Sequence, residues 1–202
     1  MVRLSWNALF CRKGCYVMIV SDQQREENFQ EYLRLLNNPD YVDVTFDEQS
    51  GGVSAIHLDH KFDKQMGPFG RRRGDYEKEV MSILRTNGHR VLLGSEENPY
   101  YLKNNDGLLN DLPMDIKTVE SNGVWSISSK LREAEKQGAQ VVVLYFPKTD
   151  LYSRSRVLDG ISKYENNPQI QAIKSIKSCL VIAGDQIVDY LKKATTPSAE
   201  WF

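Results

Sequence analysis

Cysteine is scarce in this chain, with three residues in 202, Cys11, Cys15 and Cys179. That is too few for a disulfide framework and excludes the small secreted scaffolds that depend on one. Cys11 and Cys15 read as free thiols of a reducing cytosol rather than as a metal site. Long hydrophobic runs are missing as well, since nothing approaches the roughly 18 to 20 apolar residues of a membrane span. Asn7, Arg12, Lys13 and Gly14 interrupt the opening stretch, which makes a secretory signal a poor reading, and Met18 offers an alternative start. An excess of either charge is also lacking, with 26 Lys+Arg against 27 Asp+Glu for a net charge of −1. At 41% hydrophobic and 26% charged residues, the composition fits a globular chain with one compact core, an appendage and room for one active site.

The balanced total hides an uneven distribution. Residues 1 to 20 carry +3 without an acid, residues 21 to 50 hold eight acids against Arg25 and Arg34, and the remainder is mildly basic at +2. An acidic appendage beside a slightly cationic body permits contact with nucleic acid without requiring it. Ser21 is a good N-cap for a segment in which Phe29, Tyr32, Leu33 and Leu36 recur at helical spacing, and Asn37-Asn38-Pro39 stops it. The pattern predicts an amphipathic helix with an acidic outer face, then a short strand over Tyr41 to Phe46. Gln49-Ser50-Gly51-Gly52 is a break. The expected organisation is therefore an N-terminal stretch (1–20), an acidic helical extension (21–50), the main domain (51–195) and a tail (196–202). Val53 to Gly74, which is polar and holds Gly67-Pro68 and Gly70, reads as an irregular entry loop.

From Asp75 onward Tyr76, Val80, Ile83 and Leu84 describe a helix stopped at Asn87-Gly88. Val91 to Leu93, Gly107 to Leu109 and Met114 to Val119 then read as three strands, the last two joined through Asn110-Asp111-Leu112-Pro113. Ser126 or Ser128 caps a second helix whose stripe is Ile127, Leu131 and Ala134, ending at Gln137-Gly138. Val141 to Phe146 is wholly apolar, as expected of a strand buried on both faces. The order αβββαβ predicts an α/β fold with a mixed sheet. Val157, Leu158, Ile161 and Tyr164 add a C-terminal helix, Cys179 to Ala183 a last strand, and a short helix is expected from Asp185.

Asp106, Asp115 and Lys117 carry the clearest chemistry. Residues two apart on a strand share a face, so Asp115 and Lys117 project together while Ile116 packs on the other side. Two carboxylates converging across a hairpin make a hard-oxygen site suited to Mg²⁺ or Mn²⁺, with Zn²⁺ a further option, and a neighbouring lysine can position a water or offset charge in a phosphodiester transition state. A solvated Asp-x-Lys alternation is the bland alternative. Arg71-Arg72-Arg73, just before the first helix of the main domain, either grips phosphates leading into the site or forms a solvated basic loop. His57-x-x-His60 is a conceivable metal or acid/base pair. Trp125 and Tyr100-Tyr101 either stack bases or belong to the core. Lys130 and Gln137, seven residues apart, share a helix face.

With Glu77 on the first helix, Asp106 opening the hairpin, Asp115-Ile116-Lys117 on its second strand and Gln137 closing the second helix, the order of parts resembles the PD-(D/E)xK nuclease superfamily. The runs Tyr76-Glu77-Lys78-Glu79-Val80, Met114-Asp115-Ile116-Lys117 and Ala134-Glu135-Lys136-Gln137-Gly138-Ala139 look like the C-terminal nuclease toxin domains of contact-dependent inhibition proteins. They also resemble related C-terminal domains of phage head-morphogenesis proteins of the Bacteroides group. Upstream, Val53-Ser54-Ala55-Ile56-His57 and His60-Lys61-Phe62-Asp63-Lys64 extend the likeness to roughly residues 51 to 190. The sequence departs from the pattern at Asn105, where Pro is usual, and in having Asp as its second acid. Asp111 is a competing carboxylate, set aside because it leaves too few residues for a turn before Asp115.

The resemblance implies a restriction-endonuclease-like αβββαβ core with an additional C-terminal helix and strand. It implies a metal-dependent endonuclease, a hydrolase of phosphodiester bonds most often acting on tRNA. Asp106, Asp115 and Glu77 would hold the divalent ion, Lys117 would assist the attacking water, Gln137 would orient substrate, and Arg71, Arg72, Arg73 and Lys130 would bind it. Glu77 in a first helical turn is equally explained by the helix dipole. Glu79, some 200° further round by helical geometry, is its rival. Gln137 is equally a solvated helix-terminal amide. The implied partners are a nucleic acid, RNA before DNA, and an immunity protein or a phage or secretion partner, with no membrane. The implied site of action is cytoplasmic, after delivery in a secreted toxin or phage particle. Two other readings stand beside it. One is a metal-independent, barnase-like ribonuclease using His57, His60 and Arg71 to Arg73; the other is a non-catalytic interaction domain that docks through the acidic helix.

Overall fold

Eight strands of one mixed sheet place the hairpin acids at the middle of the molecule. The structure is a computed structural model, which describes residues 8–10, 16–18, 20–95, 105–121, 123–167 and 175–193. The expectations for Tyr100, Tyr101 and the 196–202 tail lie outside the described residues. In chain order the elements are β1 (Ala8–Phe10), β2 (Tyr16–Met18), α1 (Asp22–Leu36), β3 (Tyr41–Phe46), β4 (Val53–His57), α2 (Arg73–Thr86), β5 (Arg90–Leu93), β6 (Gly107–Leu109) and β7 (Leu112–Thr118). They continue with α3 (Val124–Lys136), β8 (Val141–Phe146), α4 (Arg154–Glu165), β9 (Ser178–Ala183) and β10 (Gln186–Lys192). Sheet order is β10-β9-β8-β7-β6-β5-β4-β3. The pairs β4/β5, β7/β8 and β8/β9 are parallel and the others antiparallel. A separate hairpin pairs β1 with β2, and β2 touches β10.

Both faces of the sheet are covered, which is why β8 and β9 are buried at every position. On one face α2 packs Tyr76, Val80 and Leu84 over Val91, Leu93, Met114, Ile116, Val143 and Tyr145. On the other, α3 and α4 set Ile127, Leu131, Ala134, Val157 and Ile161 against Val142, Leu144, Phe146 and Val181. That same face is covered at the far end of the sheet by α1, whose Leu35 meets Val53, Ala55 and Leu92. Asp115 and Lys117 point to this second face, between the two helical covers.

Three expectations are corrected. Val53–His57 is a strand, not part of an irregular loop; it runs parallel to β5 and is buried at its first four positions, so no alternation betrays it. The chain after Asp185 is a strand, not a helix: Gly184, at φ +59°, turns β9 back into β10, where Ile187, Asp189 and Leu191 alternate inward. Helix α3 starts at Val124 with Gly123 as its N-cap, and Ile127 N–H already donates to the Gly123 carbonyl, so Ser126 and Ser128 lie inside it.

The boundary expected between residues 50 and 51 falls within the β3–β4 hairpin, where Tyr41 pairs with His57 and Phe46 with Val53. Asn28 of α1, fully buried, donates to the carbonyls of Gly51 and Gly88 at 2.8 and 3.2 Å. Both outer strands of the sheet are irregular. The β3/β4 register shifts between Val42 and Thr45, around Asp43 at φ +51°, and the β10/β9 register shifts between Ile187 and Asp189. No helix among the described residues is long and apolar enough to cross a membrane.

Candidate active site

A two-residue turn aligns the site. Asn110 and Asp111 both have positive φ, 48° and 67°, the conformation of a type I′ hairpin whose twist matches its strands. Asn110 is anchored by its side chain, which accepts from Arg90 N–H at 2.9 Å and bonds the buried His89 at 2.9 Å. Gly107 pairs with Met114 across the ladder, and one step further Asp106 meets Asp115. Asp111 sits on the turn itself and pairs with Arg90, so the hairpin acid facing Asp115 is Asp106.

Asp106 accepts the Ile116 N–H through Oδ2 at 2.6 Å. Asp115 is fully buried. Its Oδ2 lies 2.7 Å from Lys117 Nζ, which also donates to Gln137 Oε1 at 2.7 Å. The ammonium reaches Asp115 at ion-pair distance but without hydrogen-bond alignment, so both Asp115 oxygens are buried without an aligned donor. Burial, and then the neighbouring charge of Asp106, push the Asp115 carboxyl up to about 8 against the downward pull of Lys117.

Glu77 enters from the opposite face of the sheet, on α2, and its Oε2 lies 3.2 Å from His60 Nε2. Glu79 is engaged elsewhere: it pairs with Arg71 at 2.6 Å and accepts from the Tyr145 hydroxyl, whose pKa is raised by burial and by that carboxylate. The rings of His57 and His60 go to different partners, since His57 lies 3.7 Å from Asp59 and edge-on to Tyr41. Among the expected substrate-binding cations, Arg71 is committed to Glu79 and stacks over Tyr76, and Lys130 lies 3.5 Å from Glu133. Arg72 and Arg73 are exposed at the start of α2. Trp125 is 68% exposed under the Lys163 ammonium, far from a core role.

The structure thus gathers Asp106, Asp115, Lys117 and Gln137 in one cluster and holds Glu77 apart through His60. Sequence spacing linked His60 to His57; nothing in it pointed to Glu77, seventeen residues on. Among the described residues no group of three or more His, Cys, Asp and Glu side chains is arranged to hold a metal ion. The Asp106–Asp115 pair nonetheless fits a hard cation, because Asp115 presents two buried oxygens lacking an aligned donor and a charge its surroundings resist. Mg²⁺ characteristically uses one or two carboxylates and completes its shell with water and phosphate oxygens. Comparison with known protein families, curated proteins and solved structures finds no match to this chain.

Proposed function

We propose that the chain is a metal-dependent nuclease that hydrolyses phosphodiester bonds, with RNA of the tRNA type as its favoured substrate. The observation carrying this reading is the convergence of Asp106, Asp115, Lys117 and Gln137 on one hairpin face. In this reading α2-β5-β6-β7-α3-β8 is the αβββαβ unit of a PD-(D/E)xK nuclease, and α4 with β9 and β10 is its C-terminal addition.

Asp106 and Asp115 would hold a Mg²⁺ or Mn²⁺ ion. Once bound, such an ion supplies Lewis-acid polarisation of a phosphoryl oxygen and a more acidic water. Lys117 is a donor only, so its part is to orient the attacking water and offset charge that builds on the phosphorane, not to remove a proton. Gln137 takes one hydrogen of the Lys117 ammonium, which fixes the direction of the remaining two. Arg72 and Arg73 stand ready for phosphates. Cytosolic action after delivery in a toxin or phage particle, and control by an immunity partner, complete the proposal and rest on the family likeness.

The test is cleavage of tRNA, total RNA and plasmid by purified protein with Mg²⁺, Mn²⁺ or Zn²⁺ and with EDTA. Metal-dependent cutting that EDTA abolishes supports the reading. Cutting that survives EDTA transfers the chemistry to the His60–Glu77 pair, and no cutting of any substrate leaves the interaction-domain reading.

A further inference from the structure

Helix α1 has an apolar surface that the sheet does not use. Its inner side buries Asn28 and Leu35 completely. A second stripe runs down the outer side, where Phe29 is 38%, Leu33 39% and Leu36 52% exposed. A helix held by a single surface needs only one such stripe. Asp22, Glu26, Phe29, Leu33 and Leu36 follow one another at intervals of four, three, four and three residues, the spacing along which a second helix packs. The N-terminal half of this seam is acidic and the C-terminal half apolar.

Beside the acidic half lies an open cleft of about 540 Å³, lined by Asp22, Arg25, Glu26, Phe29, Phe46 and Glu48. The rings of Phe29 and Phe46, edge-on with centroids 5.3 Å apart, supply its apolar lining. Three carboxylates face one guanidinium there, and Arg25 is turned to the backbone carbonyls of Glu48 and Gln49. Arg34, the other cation of the helix, closes on Glu31 at 2.7 Å. The exposed surface is therefore apolar with an acidic end.

We propose that this seam and cleft dock a basic amphipathic helix of a partner protein. Apolar residues of that helix cover Phe29, Leu33 and Leu36, and its Lys or Arg side chains reach Asp22, Glu26 and Glu48. Charge selects this occupant over others. The phosphates of a nucleic acid and the anionic face of a membrane are both repelled by the three carboxylates. A second copy packed parallel would set acid against acid, and one packed antiparallel would lay the charges of Asp22 and Glu26 on Leu36 and Leu33. The inference goes beyond the nuclease reading and holds whether or not the chain cuts a phosphodiester bond.

The test uses the intact chain in EDTA, so that metal chemistry plays no part, and two labelled three-heptad peptides with the same Leu seam, one flanked by Lys and the other by Glu. Fluorescence anisotropy should show binding of the Lys peptide that weakens as salt is added, and no binding of the Glu peptide at the same concentrations. Leu33→Ser and Leu36→Ser, at exposed positions that leave the inner side of α1 untouched, should each weaken Lys-peptide binding about tenfold or more. Glu26→Lys should weaken it about fivefold or more. Asp159→Lys, the same change of net charge at an exposed position of α4, should leave it at the parent value. Equal loss in Glu26→Lys and Asp159→Lys means that net charge alone attracts the peptide, and overturns the docking site. Parent-like binding in both serine variants overturns it too, as does a parent chain that binds no Lys peptide. A parent that sediments as a dimer and becomes monomeric in Leu33→Ser assigns the seam to a second copy and overturns the partner proposed here. Melting curves establish that each variant is folded, and if Leu33→Ser does not fold, Leu36→Ser, at the last position of α1, decides alone.

Discussion

Lys117 Nζ stands 2.7 Å from Asp115 Oδ2, a cation set against a fully buried carboxyl group. The two side chains serve different ends, so removing each should have a different signature. Asp115→Ala should lose Mn²⁺ affinity and cleavage together. Lys117→Ala should keep the metal while the rate falls by roughly a hundredfold or more. Calorimetry alongside a tRNA cleavage assay distinguishes them, and parent-rate cleavage by both variants would sink the assignment.

Ile116 lies between them on the strand and faces α2, with 8% exposure. Ile116→Ala should cost about 2 to 5 kcal/mol of stability by opening a cavity. It should leave Mn²⁺ affinity nearly untouched. Urea denaturation combined with calorimetry checks both halves.

The raised Asp115 pKa makes the metal-free protein less stable as the medium becomes alkaline. Below about 3.8 the carboxyl is protonated folded or unfolded, and Asp115 has no effect; between about 3.8 and about 8 only the folded chain keeps the proton, so stability declines as pH rises, and above about 8 the loss is complete. His89, held down at about 4 by burial, tilts the curve the other way between about 4 and 6.5. Subtracting the melting curve of Asp115→Asn from that of the parent, both in EDTA, cancels the histidine. The difference should grow steadily from pH 4 to pH 8 in favour of the variant, and a flat difference contradicts it.

Asn28 should matter out of proportion to its place on a solvent-facing helix. It is buried, and its amide joins α1 to both the β3–β4 hairpin and the α2–β5 turn. Asn28→Ala leaves two carbonyls short of a donor and should cost about 1 to 3 kcal/mol. A shift of the urea midpoint at unchanged slope is the expected readout. A chain truncated at Gly51 loses Leu35 and β3 together, exposes Val53, Ala55 and Leu92, and should melt well below the parent.

Gly107 leaves no room for a side chain. A Cβ there would lie 1.9 Å from the Leu92 carbonyl oxygen, so Gly107→Ala must push β6 away from β5. Asp106, next in the chain, would move with it. The expected outcome is loss of cooperative thermal unfolding, or, where the chain still folds, loss of Mn²⁺ binding.

The hairpin was legible because its rules are local. Asp115 and Lys117, two apart on a strand, share a face by spacing alone, whereas the four-residue connection expected over Asn110 to Pro113 is a two-residue turn at Asn110-Asp111, with Leu112 and Pro113 already paired in β7. Helix α2 was readable from Tyr76, Val80 and Leu84 for the same reason. Strand β4 was not, because a strand buried on both faces shows no alternation and its Ser54 reads as polar. Strand β10 was disguised by Asp189, a charge at a core-facing position that makes sense only with Tyr152 and Arg154, at 2.5 and 3.0 Å, more than thirty residues earlier. The His60–Glu77 contact joins a loop to a helix, and no spacing rule reaches across such a gap.

The irregular outer strands limit what the sheet can become. An uninterrupted edge offers a row of unpaired N–H and C=O groups on which a further strand can assemble, and repetition of that step gives a filament. Here the bulge around Asp43 disrupts the row on β3, and the shift at Ile187/Asp189 disrupts it on β10, where β2 also lies alongside. Either margin offers an incoming chain only a few bonds in register before it must detach, so lateral growth is blunted at both ends of the eight-stranded array.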